Sequence, residues 1–202
     1  MPLDFRGILN EVYRRGSDYL DDSADGEARV KRWVNDAMHQ VNGQCPWPFL
    51  EAVATGAAPL TITDLGSIES VVDSDRGVQL VQRSRAELTG SDPAGSATGQ
   101  PFWYVVTGGD TITSWPSSAA NLLVRYRRVA PDLVADTDVP AMPDRFRSCL
   151  VELAVAAMLR DDQSPDWTIA QQTGMDIVGL MREWALELEP AFTVVAPSGD
   201  DL

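Results

Sequence analysis

The chain has 202 residues, 44% of them hydrophobic, with 30 acidic against 16 basic side chains and a formal net charge of −14. That hydrophobic content is ordinary for a globular protein and argues against disorder as the default state. The charge argues against a protein that grips nucleic acid by neutralising phosphates, which takes clustered Lys and Arg, and no apolar run approaches the roughly 20 residues of a membrane span.

The opening residues Met1-Pro2-Leu3-Asp4-Phe5-Arg6 lack a basic segment followed by an apolar block, so cytoplasmic synthesis without a secretory leader is expected. A first helix is expected from Leu3 to about Arg15, with Phe5, Ile8, Leu9 and Val12 on one face and Gly16 as its stop. An Asp- and Ser-rich linker, Ser17 to Gly26, comes next. In the second helix Val30, Trp33, Val34, Ala37, Met38 and Val41 recur at three- and four-residue steps, which places Trp33 and Met38 in a core, and Asn42-Gly43 ends it. Pro46-Trp47-Pro48 then breaks the chain, because each proline biases the residue before it away from helix. Short strands are expected at Leu60 to Thr63, Ile68 to Val72 and Val78 to Gln82, one helical turn within Arg83 to Leu88, and a surface loop over Ser91 to Gly99.

Phe102 to Thr107 and Asp110 to Trp115 flank Gly108-Gly109, a strong hairpin signal. Asn121 to Val129 reads as a third strand, alternating Leu122, Val124 and Tyr126 against Leu123, Arg125 and Arg127. Pro140 and Pro143 close the next loop, and a helix opens at Asp144 with the stripe Phe146, Leu150, Leu153, Ala154, Ala157 and Met158. Ser164-Pro165-Asp166 opens a last helix that runs to Leu188, with Ile177, Met181, Trp184 and Leu188 as its stripe and Pro190 beyond it. Ala191 to Leu202 has no helical pattern and reads as a tail that orders only against something else. The expected fold class is α+β: a helical bundle from N- and C-terminal helices with an inserted small antiparallel β region. The corresponding segments are 1–50, 51–143, 144–190 and 191–202.

Catalytic chemistry finds little support. His39 is the sole histidine and lies on the periodic second helix, no nucleophile elbow occurs, and there is no Gly-rich phosphate loop, HExxH or CxxC. The expectation is a protein that is not an enzyme and carries no cofactor or metal. Asp22 to Glu27 and Asp73 to Gly77 have fragments of calcium-loop spacing without the full ligand series, and read as acidic turns. Cys45 and Cys149 read as reduced thiols, Cys149 as a small core residue. Of the six tryptophans, those on helices fit a core and those near prolines fit element junctions. An alternative is an aromatic platform of Trp103, Tyr104 and Trp115, which would make the chain a carbohydrate- or host-binding module.

Several spaced motifs together carry a resemblance. They are Trp33-Val34-Asn35-Asp36-Ala37, Pro46-Trp47-Pro48-Phe49-Leu50, Gly99 to Tyr104, Ile112 to Pro116, Leu123 to Arg128, Asp136-Thr137-Asp138-Val139-Pro140 and Met142 to Phe146. In this order the chain resembles the head-to-tail adaptor (connector) proteins of tailed bacteriophages. The resemblance implies a structural virion protein that forms a ring, a dodecamer in relatives, docks under the portal, extends the DNA channel and joins the capsid to stopper or tail proteins. A stopper or tail-completion protein is the neighbouring alternative. In that setting the acidic residues Asp21, Asp22, Asp25, Asp73 and Asp75 are expected toward the channel or other solvent, where like charge keeps passing DNA from adhering; the same charge also serves plain solubility. Phe192, Val194 and Val195 of the tail are expected to dock on the portal or an adjacent subunit.

Overall fold

A computed structural model describes residues 3–16, 23–92 and 94–188. In chain order the helices and strands are α1 (Phe5–Arg15), α2 (Ala24–Asn42), β1 (Glu51–Ala57), β2 (Leu60–Thr61), β3 (Leu65–Asp73), β4 (Val78–Gln82), α3 (Arg85–Ser91), β5 (Trp103–Thr107), β6 (Thr111–Trp115), β7 (Asn121–Arg128), α4 (Ser148–Asp161) and α5 (Trp167–Leu188). They fall into two compact units, one drawn from Met1–Pro48 and Leu133–Leu202, the other from Phe49–Asp132.

In the helical unit α4 is central, and α1, α2 and α5 pack on it. Its Cys149, Leu150, Leu153, Ala154, Val155 and Met158 are all buried, as expected of a helix surrounded by others. From α1 come Phe5, Ile8, Leu9 and Val12, and from α2 Val30, Trp33, Val34, Ala37, Met38 and Val41, the two stripes that the periodicity marks. Side chains cap both helices: Asp4 accepts from the Gly7 N–H at 2.8 Å and Ser23 from the Gly26 N–H at 3.1 Å.

The α5 stripe keeps Met181, fully buried as expected, but otherwise differs from the expected one. The buried residues are Ala170, Gly174, Val178, Met181 and Ala185; Ile177 and Trp184 are half-buried and Leu188 is exposed. Close approach is the reason: a Cβ on Gly174 would stand 2.9 Å from Leu153 Cδ2. Three of the five buried positions, Ala170, Gly174 and Ala185, are small residues that a search for large apolar side chains passes over.

The second unit corrects the expected small antiparallel insertion. It is a seven-stranded sheet in the order β1-β7-β3-β4-β5-β6-β2, and it is mixed, since β4 and β5 run parallel with Val81 opposite Trp103 and Gln82 opposite Tyr104. The end strands approach each other at Gly56, where a Cβ would meet Leu60 Cδ1 at 2.8 Å, so the sheet nearly closes into a barrel. Its core includes Val71, Leu80, Tyr104, Ile112, Leu122 and Val124. Parallel neighbours require a long crossover, and residues 83–102, read from sequence as a turn and a loop, supply it with α3 inside. Ser84 and Glu87 form a capping box that starts α3. The hairpin between β5 and β6 stands where expected, with Gly108 and Gly109 both at positive φ, 67° and 89°.

Candidate functional site

Three of the motifs that carry the resemblance, Trp33–Ala37, Asp136–Pro140 and Met142–Phe146, meet within the helical unit at the segment between Leu133 and Pro143. Asn35 on α2 clamps it at one residue: its Nδ2 donates to the Leu133 carbonyl at 3.1 Å and its Oδ1 accepts the Leu133 N–H at 2.8 Å. Asp138 closes the next turn by accepting from the Val134 and Ala135 N–H groups at 2.7 and 2.8 Å, and those bonds hold its carboxyl below the usual range. Two N–H groups at the start of α1 are satisfied by the same segment, Phe5 donating to the Asp138 carbonyl at 2.8 Å and Arg6 to the Asp136 carbonyl at 2.9 Å. At its far end the buried Arg147 donates to the carbonyls of Pro140, Met142 and Leu3 at 3.3, 3.2 and 3.3 Å, and pairs with Asp144.

A segment held this firmly nevertheless turns apolar side chains outward. Val134 is 76% exposed and Val139 is exposed as well. Apolar groups displayed on a loop fixed by a rigid scaffold suit a partner contact. The outer side of α5 adds exposed Ile169, Leu180, Leu186 and Leu188. Near its end the Arg145 guanidinium stacks on Phe146 at 4.7 Å and Trp184 at 5.1 Å, which stiffens that corner. Trp47, in the Pro-Trp turn, is fully buried and donates Nε1–H at 2.7 Å to the Val41 carbonyl in the last turn of α2, which also accepts the Gln44 N–H at 3.1 Å.

In the barrel unit a cleft of about 520 Å³ lies between α3 and the β5–β6 hairpin, with Leu88, Val105 and Trp115 as its apolar lining and Arg85, Thr89 and Asp92 as polar lining. No single aromatic platform of Trp103, Tyr104 and Trp115 forms. Tyr104 is buried in the barrel core, its hydroxyl donating to Gln82 Oε1 at 3.3 Å, while Trp103 and Trp115 pair half-buried across β5 and β6. Adjacent strand residues point to opposite faces, so Trp103 and Tyr104 cannot share one.

The acidic candidates scatter. Asp25 is exposed in the first turn of α2. Asp75 is exposed in the β3–β4 turn, where Asn121 Nδ2 and N–H donate to it at 3.0 and 3.1 Å and lower its pKa. Asp73 departs from expectation: it is 1% exposed, and its carboxylate is turned inward to accept the Asp75 N–H at 3.1 Å, with Arg76 at 3.8 Å. It builds the turn rather than facing solvent. Asp21, Asp22, Phe192, Val194 and Val195 lie outside the described residues.

His39 is exposed on α2. Burial pushes the Cys149 thiol up to about 12, far from a reactive thiolate. Among the described residues no group of three or more His, Cys, Asp or Glu is placed to hold a metal ion, and no helix is long and apolar enough to cross a membrane. Sequence reading misses the clamps of Asn35 and Arg147. Their one signal is position, a polar residue beside an apolar helical stripe.

No curated protein matches the chain. The model of the SU10 adaptor protein family matches residues 8–191, a span that takes in all of the sheet unit, most of the helical unit and each of the spaced motifs. The chain therefore belongs to the SU10 adaptor protein family and is a structural protein of the phage head-to-tail junction.

Proposed function

We propose that the protein assembles as a homo-oligomeric ring, a dodecamer as in related adaptors, docks beneath the portal, extends the DNA channel and offers its far side to the stopper or tail. The observation that carries this reading is the pinned Leu133–Pro143 segment, whose exposed Val134 and Val139 stand on a support built from α1, α2 and α4. A ring subunit needs two unlike contact faces for a heterologous closed interface, and two separately cored units on one chain supply surfaces of different character. Phe192, Val194 and Val195 add a portal or subunit contact. Asp21, Asp22, Asp25 and Asp75 belong on the channel side, where they limit adhesion of the passing genome.

The test is mass measurement of the protein alone and after mixing with its portal. A discrete multimer on the portal is expected, and loss of it in Val134→Glu/Val139→Glu with an unchanged unfolding midpoint. A wild-type chain that never joins the portal would overturn the proposal.

A further inference from the structure

In the nearly closed barrel one stretch of sheet edge lacks a partner. β1 pairs with β7 along its whole length, Glu51 opposite Arg127 through Ala57 opposite Asn121. On its other side no described strand forms a ladder with it: β2 is two residues long, pairs with β6, and meets β1 near Gly56, where Leu60 packs on it. Glu51–Thr55 therefore presents a row of free backbone donors and acceptors. Of the usual protections only the charge of Glu51, at one end, is present: the sequence Glu-Ala-Val-Ala-Thr has no Lys, no Pro and no bulge, and Val53 is 59% exposed.

We propose that this edge is filled by Phe192–Ala196 of a neighbouring copy, added as an eighth strand antiparallel to β1; the proposal rests on the ring reading above. The segment Phe-Thr-Val-Val-Ala is rich in aromatic and β-branched residues suited to a strand, and it matches the free edge residue for residue in length. Pro197 comes at once after it and cannot donate to a ladder, so the strand ends where the free edge ends. Only residues 189–191 link the end of α5 at Leu188 to the strand, and extended at about 3.3 Å each they span about 10 Å, so the pairing requires the Thr55 end of the neighbour's β1 to lie within about that distance of the end of α5.

Charge sets the direction. The Ala57 end of β1 lies beside Asn121, which is held by the exposed Asp75 of an acidic turn. The other end lies beside Arg125 and Arg127 of β7; Glu69 neutralises Arg127 at 2.8 Å, and Arg125 is exposed with no ion pair among the described residues. The tail ends Asp200-Asp201-Leu202 behind a turn-forming Pro-Ser-Gly. An antiparallel tail carries those carboxylates to the arginine end, a parallel one to the acidic turn.

That geometry sets Val194 opposite Val53. Two full-length chains in a Cys45→Ser background, one Val53→Cys and one Val194→Cys with a mass tag, are mixed with and without portal and mildly oxidised. A covalent dimer of mixed mass is expected, at least tenfold above the yield when Ser70→Cys, on β3, replaces Val53→Cys. Equal yields from Ser70→Cys, or a link found only within single chains of the Val53→Cys/Val194→Cys double variant, would overturn the pairing. Portal association is read by mass in the same samples. A chain that joins the portal without the Val53–Val194 link overturns the strand pairing alone, whereas a chain that stays monomeric throughout overturns both readings.

Discussion

Arg147 is a buried cation that acts as several caps at once. Its guanidinium serves three carbonyls from two stretches of chain, Leu3 beside α1 and the Pro140–Met142 loop, and balances its charge against Asp144. Removing it leaves the buried Pro140 and Met142 carbonyls without donors, each worth about 1–3 kcal/mol, and frees the part-buried Leu3 carbonyl as well. Arg147→Ala should therefore lose about 3 kcal/mol or more in urea unfolding. Arg147→Lys should fall well short of wild type, since one ammonium cannot reproduce a planar fork reaching three separate carbonyls. Full stability in the lysine variant would mean that charge alone, not the fork, is needed. Asn35 works by the same logic on a smaller scale, with both ends of one amide spent on Leu133.

Between helices, α4 and α5 approach closely at Gly174. Alanine is the better helix former by about 1 kcal/mol, yet its Cβ would meet Leu153 Cγ and Cδ2 at 2.9 Å and Glu152 Cβ at 3.2 Å. Gly174→Ala should thus destabilise by about 1–3 kcal/mol through overpacking, read as a lower unfolding midpoint. Unchanged or raised stability would show that the helices separate freely.

The α1–α4 contact is tied by charge, with Arg14 and Arg15 on Glu11, and Arg15 also on Glu152. The Arg14 hydrogen bond, with help from Arg15, lowers the Glu11 carboxyl from 4.5 to about 2. The folded state then binds this proton less readily than the unfolded chain, so the contribution is complete above 4.5 and fades as pH falls through about 2. Glu11→Gln should flatten that part of the acid profile, seen by comparing urea midpoints at about pH 5 and about pH 3.

These same contacts mark the boundary of what the sequence makes legible. The stripes of α1 and α2, with Trp33 and Met38 in the core, and the alternation of β7 are carried by large apolar side chains at fixed periods. The α5 face, with Ala170, Gly174 and Ala185, is carried by small residues whose role is to let backbones approach. β1 hides for a related reason: its barrel-facing positions are Ala52, Ala54 and Gly56, which give no apolar rhythm. Of the surfaces, the Leu133–Pro143 segment is visible in the sequence as a proline-bounded loop that carries one of the spaced motifs, Asp136–Pro140. Its rigidity comes from long-range partners, and no local pattern encodes those.

At the scale of the whole molecule, the described cores of both units are complete without the tail, the last buried residue being Ala185. The stretch beyond Pro190 is apolar at Phe192, Val194 and Val195 and acidic at its end. Apolar groups on a chain end gain stability only by leaving water against another surface. Fold stability and attachment should therefore separate on truncation. A chain ending at Pro190 should keep the thermal unfolding profile of the full protein, because no described packing is lost, and should fail to form the portal-bound multimer or to join portal-bearing heads. Mutating the same residues in place offers a finer version: Val194→Asp keeps the length and adds one charge where an apolar or backbone-paired contact is needed. It should lower attachment without moving the unfolding midpoint. Normal attachment of both the truncated chain and Val194→Asp would remove the tail from the interface and leave Val134, Val139 and the outer side of α5 to carry it.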